Sequence, residues 1–355
     1  PDYTWEMTLG FDLLYSASLE RVTNVSLNPA LSQWRTEMHR LSWSLFSRLI
    51  SIAPIAAAHD VVVSQVVGAL PLEQLTENVY VVHGPVQAPS PENGGFMNNP
   101  GFVITEGGVV VVDPGSSVQI GAAVLKKIAE VTDKPVIAVF NTHVHGDHWL
   151  GNQAIRQAYP AAVIYAHERM LERIAESEGK RWIGILDDLT DGAIKGTVVT
   201  APDVGLAGGE ALDFGGTTIH VYFKGKAHSD NDLLIEVDRE RTMFMGDVGM
   251  VTRITSQHAD GDVRGHIETL EFVLETDNDV FVPGHGKSGG KEVPRLALSF
   301  YRTLYDSVKR HYEAGLSDFE MKEKVIDDMA AFKDWGNFED IGRAISHAYL
   351  RVEQD

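Results

Sequence analysis

The chain reads as an α/β protein built in four layers, an αββα sandwich with two facing sheets and helices on both outer faces, extended at its C-terminus by helices. Two observations predict this. From Val79 to Val282, short β-branched runs alternate with stretches of helical spacing, and the pattern occurs twice in succession. A third observation, the change to helical spacing alone after Gly290, marks the extension.

The elements follow in order. Val79–His83, Gly101–Thr105 and Val109–Val112 are rich in β-branched residues and separated by Gly, Pro and Asn, so they read as a meander of strands. Ser117–Val131 carries Ile120, Val124, Leu125 and Ile128 at helical spacing, and Val136–Phe140 is a continuous apolar run of buried-strand type. A helix over Asn152–Ala158, a strand over Ala161–Tyr165 and a helix over His167–Glu178 come next. A looser Gly- and Asp-containing stretch, Gly179–Gly209, is then expected to form a lid or specificity insert. Strands are predicted at Thr217–Phe223, Leu233–Val237, Thr242–Met245 and Val280–Val282, with a helix over Asp262–Glu275 before the last. The extension divides into Glu292–Tyr312, Ser317–Phe332, where Ser317 and Glu320 stand in capping-box register, and Phe338–Val352. The aromatic residues Phe332, Trp335 and Phe338 read as packing.

Composition narrows the chemistry. The chain has 355 residues, 44% hydrophobic and 23% charged, the balance of a globular protein with a sizeable core. A net charge of −20 repels polyanions and argues against nucleic acid as a partner. There is no cysteine, so any metal site must use His, Asp and Glu. Three segments are expected: residues 1–58 as an N-terminal segment, 59–290 as the main domain and 291–355 as the helical extension. Within the first, Met38-His39-Arg40, the apolar run Leu49–Ala58 and the finish Ala56-Ala57-Ala58 have the order of a secretory signal peptide over 38–58. That reading places the protein in the periplasm or outside the cell, leaves residues 1–37 outside the natural protein, and competes with an amphipathic helix over Leu41–Ala58 in a cytoplasmic protein. The apolar run of about ten residues is too short for stable membrane insertion. Nothing in the sequence fixes the oligomeric state.

The chemistry concentrates in Asn141-Thr142-His143-Val144-His145-Gly146-Asp147-His148, just beyond a predicted strand. In an extended segment His143 and His145 project to the same side and can reach one metal, while the turn at Gly146 brings Asp147 and His148 to a second position. Three more candidate ligands, His228, Asp247 and His285, each stand just past a predicted strand, at the same sheet edge as the first four. Glycines in Gly246-Asp247 and Gly284-His285-Gly286 let the backbone pack close to a metal. Asn141, Thr142 and Asp230 are candidates for orienting the ring nitrogens. His83, His167, His220, His266, His311 and His347 read as structural, and His258, in the loop Thr252–Gly261, as a residue that could line a pocket. Pocket walls are expected from Gln87–Pro100, Gly179–Gly209 and Val251–Gly261.

His143-x-His145-x-Asp147-His148, Ala227-His228-Ser229-Asp230, Met245-Gly246-Asp247 and Pro283-Gly284-His285-Gly286 together resemble the metallo-β-lactamase superfamily, also called the metallo-hydrolase/oxidoreductase fold, over Val79 to Gly290. The resemblance implies the αββα sandwich. It implies that His143, His145 and His228 hold one zinc, that Asp147, His148 and His285 hold another, and that Asp247 bridges them; iron or manganese are the alternative metals. It further implies a binuclear hydrolase whose metal-bridging hydroxide attacks the carbonyl of a small ester, thioester, lactone or β-lactam, with Asp147 as the catalytic side chain that orients water and passes a proton. An aspartate at 247, where zinc β-lactamases commonly carry Cys or Ser, resembles glyoxalase II and lactonases and argues against antibiotics as the main substrate. Ser90-Pro91-Glu92-Asn93-Gly94-Gly95 followed by Asn98-Asn99-Pro100-Gly101-Phe102 is similar to exported quinoprotein-relay zinc metallohydrolases. Two other functions compete: a mononuclear iron oxidoreductase of sulfur compounds, and a non-catalytic metal-binding accessory protein of a redox cofactor pathway.

Overall fold

Four consecutive valines, Val109 to Val112, are all buried, and the layering explains why none has to be polar. Val109 and Val111 pack beneath helices, whereas Val110 and Val112 point into the space between two sheets, as the two-residue period of a strand requires. The computed structural model describes residues 66–254 and 259–355. The signal peptide expected over 38–58 and His258 lie outside the described residues.

The first sheet runs in sequence order through β1 (Leu72–Gln74), β2 (Val79–Val82), β3 (Gly101–Ile104), β4 (Val109–Val112), β5 (Val136–Phe140), β6 (Val163–His167) and β7 (Val204–Leu206). It is antiparallel up to β4 and parallel from β4 to β7. The second sheet has the order β12 (Val280–Pro283), β11 (Thr242–Gly246), β10 (Leu234–Val237), β9 (Thr218–Tyr222) and β8 (Ala211–Asp213), parallel only between β11 and β12. Phe140, Val110 and Val112 meet Ile219, Val221, Ile235 and Phe244 between the sheets. On the outer face of the first sheet lie α1 (Val118–Ala129) and α3 (Asn152–Ala158), held through Ile120, Val124, Ile128 and Ile155. The four layers and the helical C-terminal region are therefore those read from the sequence.

The second outer face is covered by α6 (Val263–Glu275), whose N-cap Asp262 accepts from the amides of Arg264 and Gly265, and by α7 (Glu292–Glu313), α8 (Asp318–Asp328) and α9 (Ile341–Gln354). Leu270, Met243 and Phe281 share one apolar cluster with Phe300, Leu304, Val325 and Ile345, so the core runs without a break from the second sheet into the terminal helices. The capping box of Ser317 and Glu320 is present at α8, and Phe332 and Trp335 pack on Phe300.

The stretch after Glu178 departs from expectation. The helix read over His167–Glu178 is α4 (Glu168–Glu176), stopped at Ser177, and a further helix, α5 (Glu178–Leu189), occupies the first part of the stretch expected to be loose. Gly179 and Gly184 each cost a helix about 1 kcal/mol against alanine, which hid it. Leu186, buried with Trp182 and Ile183 beside Trp149 and Met170, supplies the packing that overrides the cost. β1, β7 and β8 were missed because each is a three-residue edge strand with mostly exposed residues and no alternation to read; β7 falls within the stretch expected to be loose.

Candidate metal centre

Strands β4, β5, β11 and β12 end at one edge of the sandwich, and the loops beyond them meet there. His143 and His145 follow β5, and the short helix α2 (Gly146–Trp149) carries Asp147 and His148. His228 comes from the loop between β9 and β10, Asp247 from the end of β11 and His285 from the end of β12. All seven residues singled out in the sequence are brought together, and none is more than 6% exposed. Their ligand atoms form two groups, His143, His145, His228 and Asp247 in one and Asp147, His148 and His285 in the other, each spanning no more than 4.8 Å. Asp247 faces both: Oδ1 lies 3.3 Å from His148 Nε2 and 3.4 Å from His285 Nε2, and Oδ2 lies 3.4 Å from His228 Nε2.

The hydrogen bonds behind these rings fix which nitrogen is free to bind. His285 Nδ1 donates to the carbonyl of Met97 at 2.7 Å, and His148 Nδ1 donates to Asp113 Oδ2 at 2.8 Å. Thr142 Oγ1 donates to Asp113 Oδ2 at 2.7 Å, so it accepts at 3.0 Å from His143 Nδ1. In each ring Nδ1 therefore carries the proton, and Nε2 turns its lone pair inward. His143 Nε2, His148 Nε2, Asp147 Oδ2 and Asp247 Oδ1 are buried without a hydrogen-bond partner. Four such atoms, two from each group, are costly in a protein interior unless cations satisfy them. His145 Nδ1 and His228 Nε2 approach to 2.8 Å on the other side. An all-His and Asp donor set of this kind fits divalent metal ions.

The electrostatics demand positive charge. Burial opposes ionisation of Asp147 and Asp247, yet the facing imidazoles of His148 and His285 hold both carboxyls well below the usual range. Burial likewise opposes a charged His285, but Asp247 and Asp147 push it up to about 9, and His148 is raised by Asp147, Asp247 and Asp113. Burial and the neighbouring His148 keep His143 neutral. Without a metal these carboxylates recruit protons onto the imidazoles; divalent cations compete for the same lone pairs.

Some expected supports stand elsewhere. Asn141 exchanges two hydrogen bonds with Asn152, at 3.1 and 2.8 Å, and touches no ring nitrogen. Asp230 bonds Arg173 at 3.0 Å, and Arg173 also binds Asp260, so this carboxylate ties α4 to neighbouring loops. Thr142 does orient a ring. Asp113 and the Met97 carbonyl, which sequence reasoning missed, orient two more. The available signal for Asp113 was its place directly after β4, where a strand-end carboxylate joins the same edge as Asp147 and Asp247. His266 is buried and stacks on Tyr301 at 3.9 Å, and His167 caps α4 through its Nδ1, both structural as expected.

Above the two groups is a cavity of about 230 Å³ whose floor includes His145, Asp147, His228, Asp247 and His285. Its walls come from the three expected loop regions: Pro89 and Met97, then Arg181, Trp182, Ile185 and Leu189 of α5, then Arg253, with Met250 beside it. Trp182 was not anticipated; its ring lies 4.9 Å from that of His145. Gly284 is required by close approach, because a Cβ there would stand 2.1 Å from Asp247 Oδ1.

The profile of the metallo-beta-lactamase superfamily matches residues 93–285. A hydroxyacylglutathione hydrolase of Acaryochloris marina is 40% identical over 82 residues, 22% of this chain and 30% of that protein. One of Francisella philomiragia is 22% identical over 189 residues, 53% of this chain and 62% of that protein. A linear primary-alkylsulfatase of a Pseudomonas species is 24% identical over 257 residues, 61% of this chain and 48% of that protein. The chain thus spans less than two thirds of each of these curated relatives. Among solved structures, a metallo-beta-lactamase from Pontibacter korlensis superposes with a TM-score of 0.53 at 19% identity, covering 66% of this chain and 99% of that one. A double mutant of the sec-alkyl sulfatase PisA1 does so with a TM-score of 0.60 at 16% identity, covering 82% and 51%. These likenesses establish the fold.

Proposed function

Because the chain belongs to the metallo-beta-lactamase superfamily, we propose that it is a two-metal hydrolase, with zinc as its metal, that cleaves the acyl bond of a small thioester or related ester or lactone. The observation that carries this reading is the pair of ligand groups with Asp247 facing both, each ending in buried lone pairs without hydrogen-bond partners. In it, His143, His145 and His228 would hold one ion and Asp147, His148 and His285 the other, with Asp247, which faces both groups, serving each. The hydroxyacylglutathione hydrolases among the relatives favour a thioester within the carbonyl class.

Two divalent cations held there supply Lewis acidity and a water acidified toward neutral pH. The chain's own groups do the rest. Asp113 and the Met97 carbonyl hold His148 and His285 in the tautomer that leaves Nε2 free. Asp147, buried at the cavity floor, would orient the attacking water and take its proton. As water adds to the carbonyl carbon and the carbon–sulfur or carbon–oxygen bond breaks, Asp147 returns that proton to the leaving group. Trp182, Ile185 and Leu189 close the cavity on one side and limit bulk water. Export, read from the segment 38–58, is proposed with this function as a separate claim.

Elemental analysis of the purified chain, with hydrolysis of an aryl thioester followed spectrophotometrically, tests the reading. Close to two zincs per chain, thioester turnover, and loss of both metal and turnover in Asp247→Ala are expected. One iron per chain with oxygen uptake would replace the reading with sulfur oxidation, and bound zinc without turnover of any ester or thioester would replace it with an accessory role.

A further inference from the structure

We propose that Arg253 is an anion-binding residue of the reaction cavity, and that the substrate carries a carboxylate, sulfate or similar anionic group on the same small molecule as the bond that is cleaved. The proposal rests on the hydrolase reading above and adds the substrate class to it.

Arg253 lies six residues beyond Asp247, in the loop that leaves β11. Its main chain is pinned: it forms a bridge with Gly336, and the adjacent residues exchange hydrogen bonds with Gly336 at 2.8 and 3.0 Å. The side chain is only 7% exposed and lines the cavity shared with His145, Asp147, Asp247 and His285. Yet its guanidinium is poorly matched. One Nη donates to the carbonyl of Gln87 at 3.3 Å, Nε is buried with no partner, and no ion pair is formed with any carboxylate among the described residues. Arg173, which is less buried, has Asp230, Asp260 and Glu178 around it.

The mismatch has a physical direction. A buried cation without a counter-ion is costly, and the chain has 50 acidic residues from which a partner could have been drawn. The two carboxylates in the same cavity, Asp147 and Asp247, are already directed at imidazoles 3.2 to 3.4 Å away. Packing accounts for the hydrocarbon stem, since a Cβ on Gly336 would meet Arg253 Cγ at 3.6 Å, but it does not use the fork. The guanidinium offers five donors in a plane, which suits two oxygens of one carboxylate or sulfate. Arg181, the other cavity cation, is half exposed and already paired with Glu178 at 2.9 Å. In a protein of net charge −20, Arg253 therefore gives an otherwise repelled anion its place at the centre. The apolar walls, Met97, Trp182, Ile185 and Leu189, suit the hydrocarbon between the anion and the scissile bond.

The test compares two esters that differ only in charge, mono-p-nitrophenyl adipate and its methyl ester, on the zinc-loaded chain, with metal content measured in every variant. The wild type is expected to prefer the acid by about tenfold or more in kcat/KM, mainly through KM. In Arg253→Met that ratio should fall to within about twofold of one, and Arg253→Lys should retain part of it. No preference in the wild type, or a preference kept by Arg253→Met, would overturn the proposal; should Arg253→Met not fold, the wild-type ratio and Arg253→Lys decide. If neither ester is turned over, the thioester assay above decides the hydrolase reading separately, and calorimetric titration of the zinc-loaded protein with adipate and separately with sulfate tests the anion site. Binding lost in the Arg253 variants supports it, with the tighter anion identifying the group, and binding unchanged in them, or absent from the wild type, overturns it.

Discussion

Replacing Asp113 by asparagine isolates the chemistry of one carboxylate. Asp113 has φ of 52°, in the left-handed region, and asparagine is tolerated there where alanine would be strained. The backbone is therefore unchanged, but the hydrogen bonds are not. Oδ1 accepts from the Thr142 amide at 2.8 Å, and Oδ2 accepts from Thr142 Oγ1 at 2.7 Å and from His148 Nδ1 at 2.8 Å. An amide group must place its NH2 at one of these two positions. At the first it opposes the Thr142 N–H, donor to donor. At the second it opposes His148 Nδ1–H and drives the ring to the other tautomer, with Nε2 protonated and unable to bind a cation. Either arrangement loses at least one charge-assisted hydrogen bond, about 1.5–3 kcal/mol, and such supports carry about 10- to 100-fold in metal affinity. Chelator-competition titration of zinc reads the affinity, and thermal unfolding in chelator reads the metal-free loss. Zinc affinity within about twofold of wild type would refute the assignment of His148 Nε2 as a ligand held in place by Asp113.

Gly284→Ala drives a Cβ to 2.1 Å from Asp247 Oδ1, so it should cost about 1–3 kcal/mol and lower the metal content seen by elemental analysis. Metal affinity should fall with pH: His285, pushed up to about 9 without a cation, carries a proton at neutral pH that a metal must displace. Each proton displaced weakens binding about tenfold per pH unit of acidification below that value, which competition titrations at about pH 6 and about pH 8 would read. Trp182→Ala removes a cavity wall 4.9 Å from the His145 ring, and steady-state kinetics should show about a tenfold rise in KM with zinc content retained.

The gathering of His143, His145, Asp147, His148, His228, Asp247 and His285 was legible in the sequence because two local rules suffice for it. A compact His and Asp run beyond a strand places four candidate ligands close together, and the ends of further strands in an α/β sandwich fall at a shared edge. The layers were legible for the same kind of reason, since the two-residue and helical periods are properties of short segments. Helix α5 was not, because its two glycines argue against a helix locally and only packing of Leu186 and Trp182 restores it.

Asp113 and Arg253 show where local reading stops. Nothing in Val112-Asp113-Pro114 marks the carboxylate; it meets Thr142 and His148 because β4 and β5 pair in parallel with Val112 opposite Phe140. The unmatched guanidinium of Arg253 likewise depends on which carboxylates the whole fold withholds from it. Segment periodicity and spacing thus determined the architecture and the candidate ligand set, while the tertiary structure alone decided the tautomers and the cavity's charge, because those arise from contacts between residues far apart in the chain.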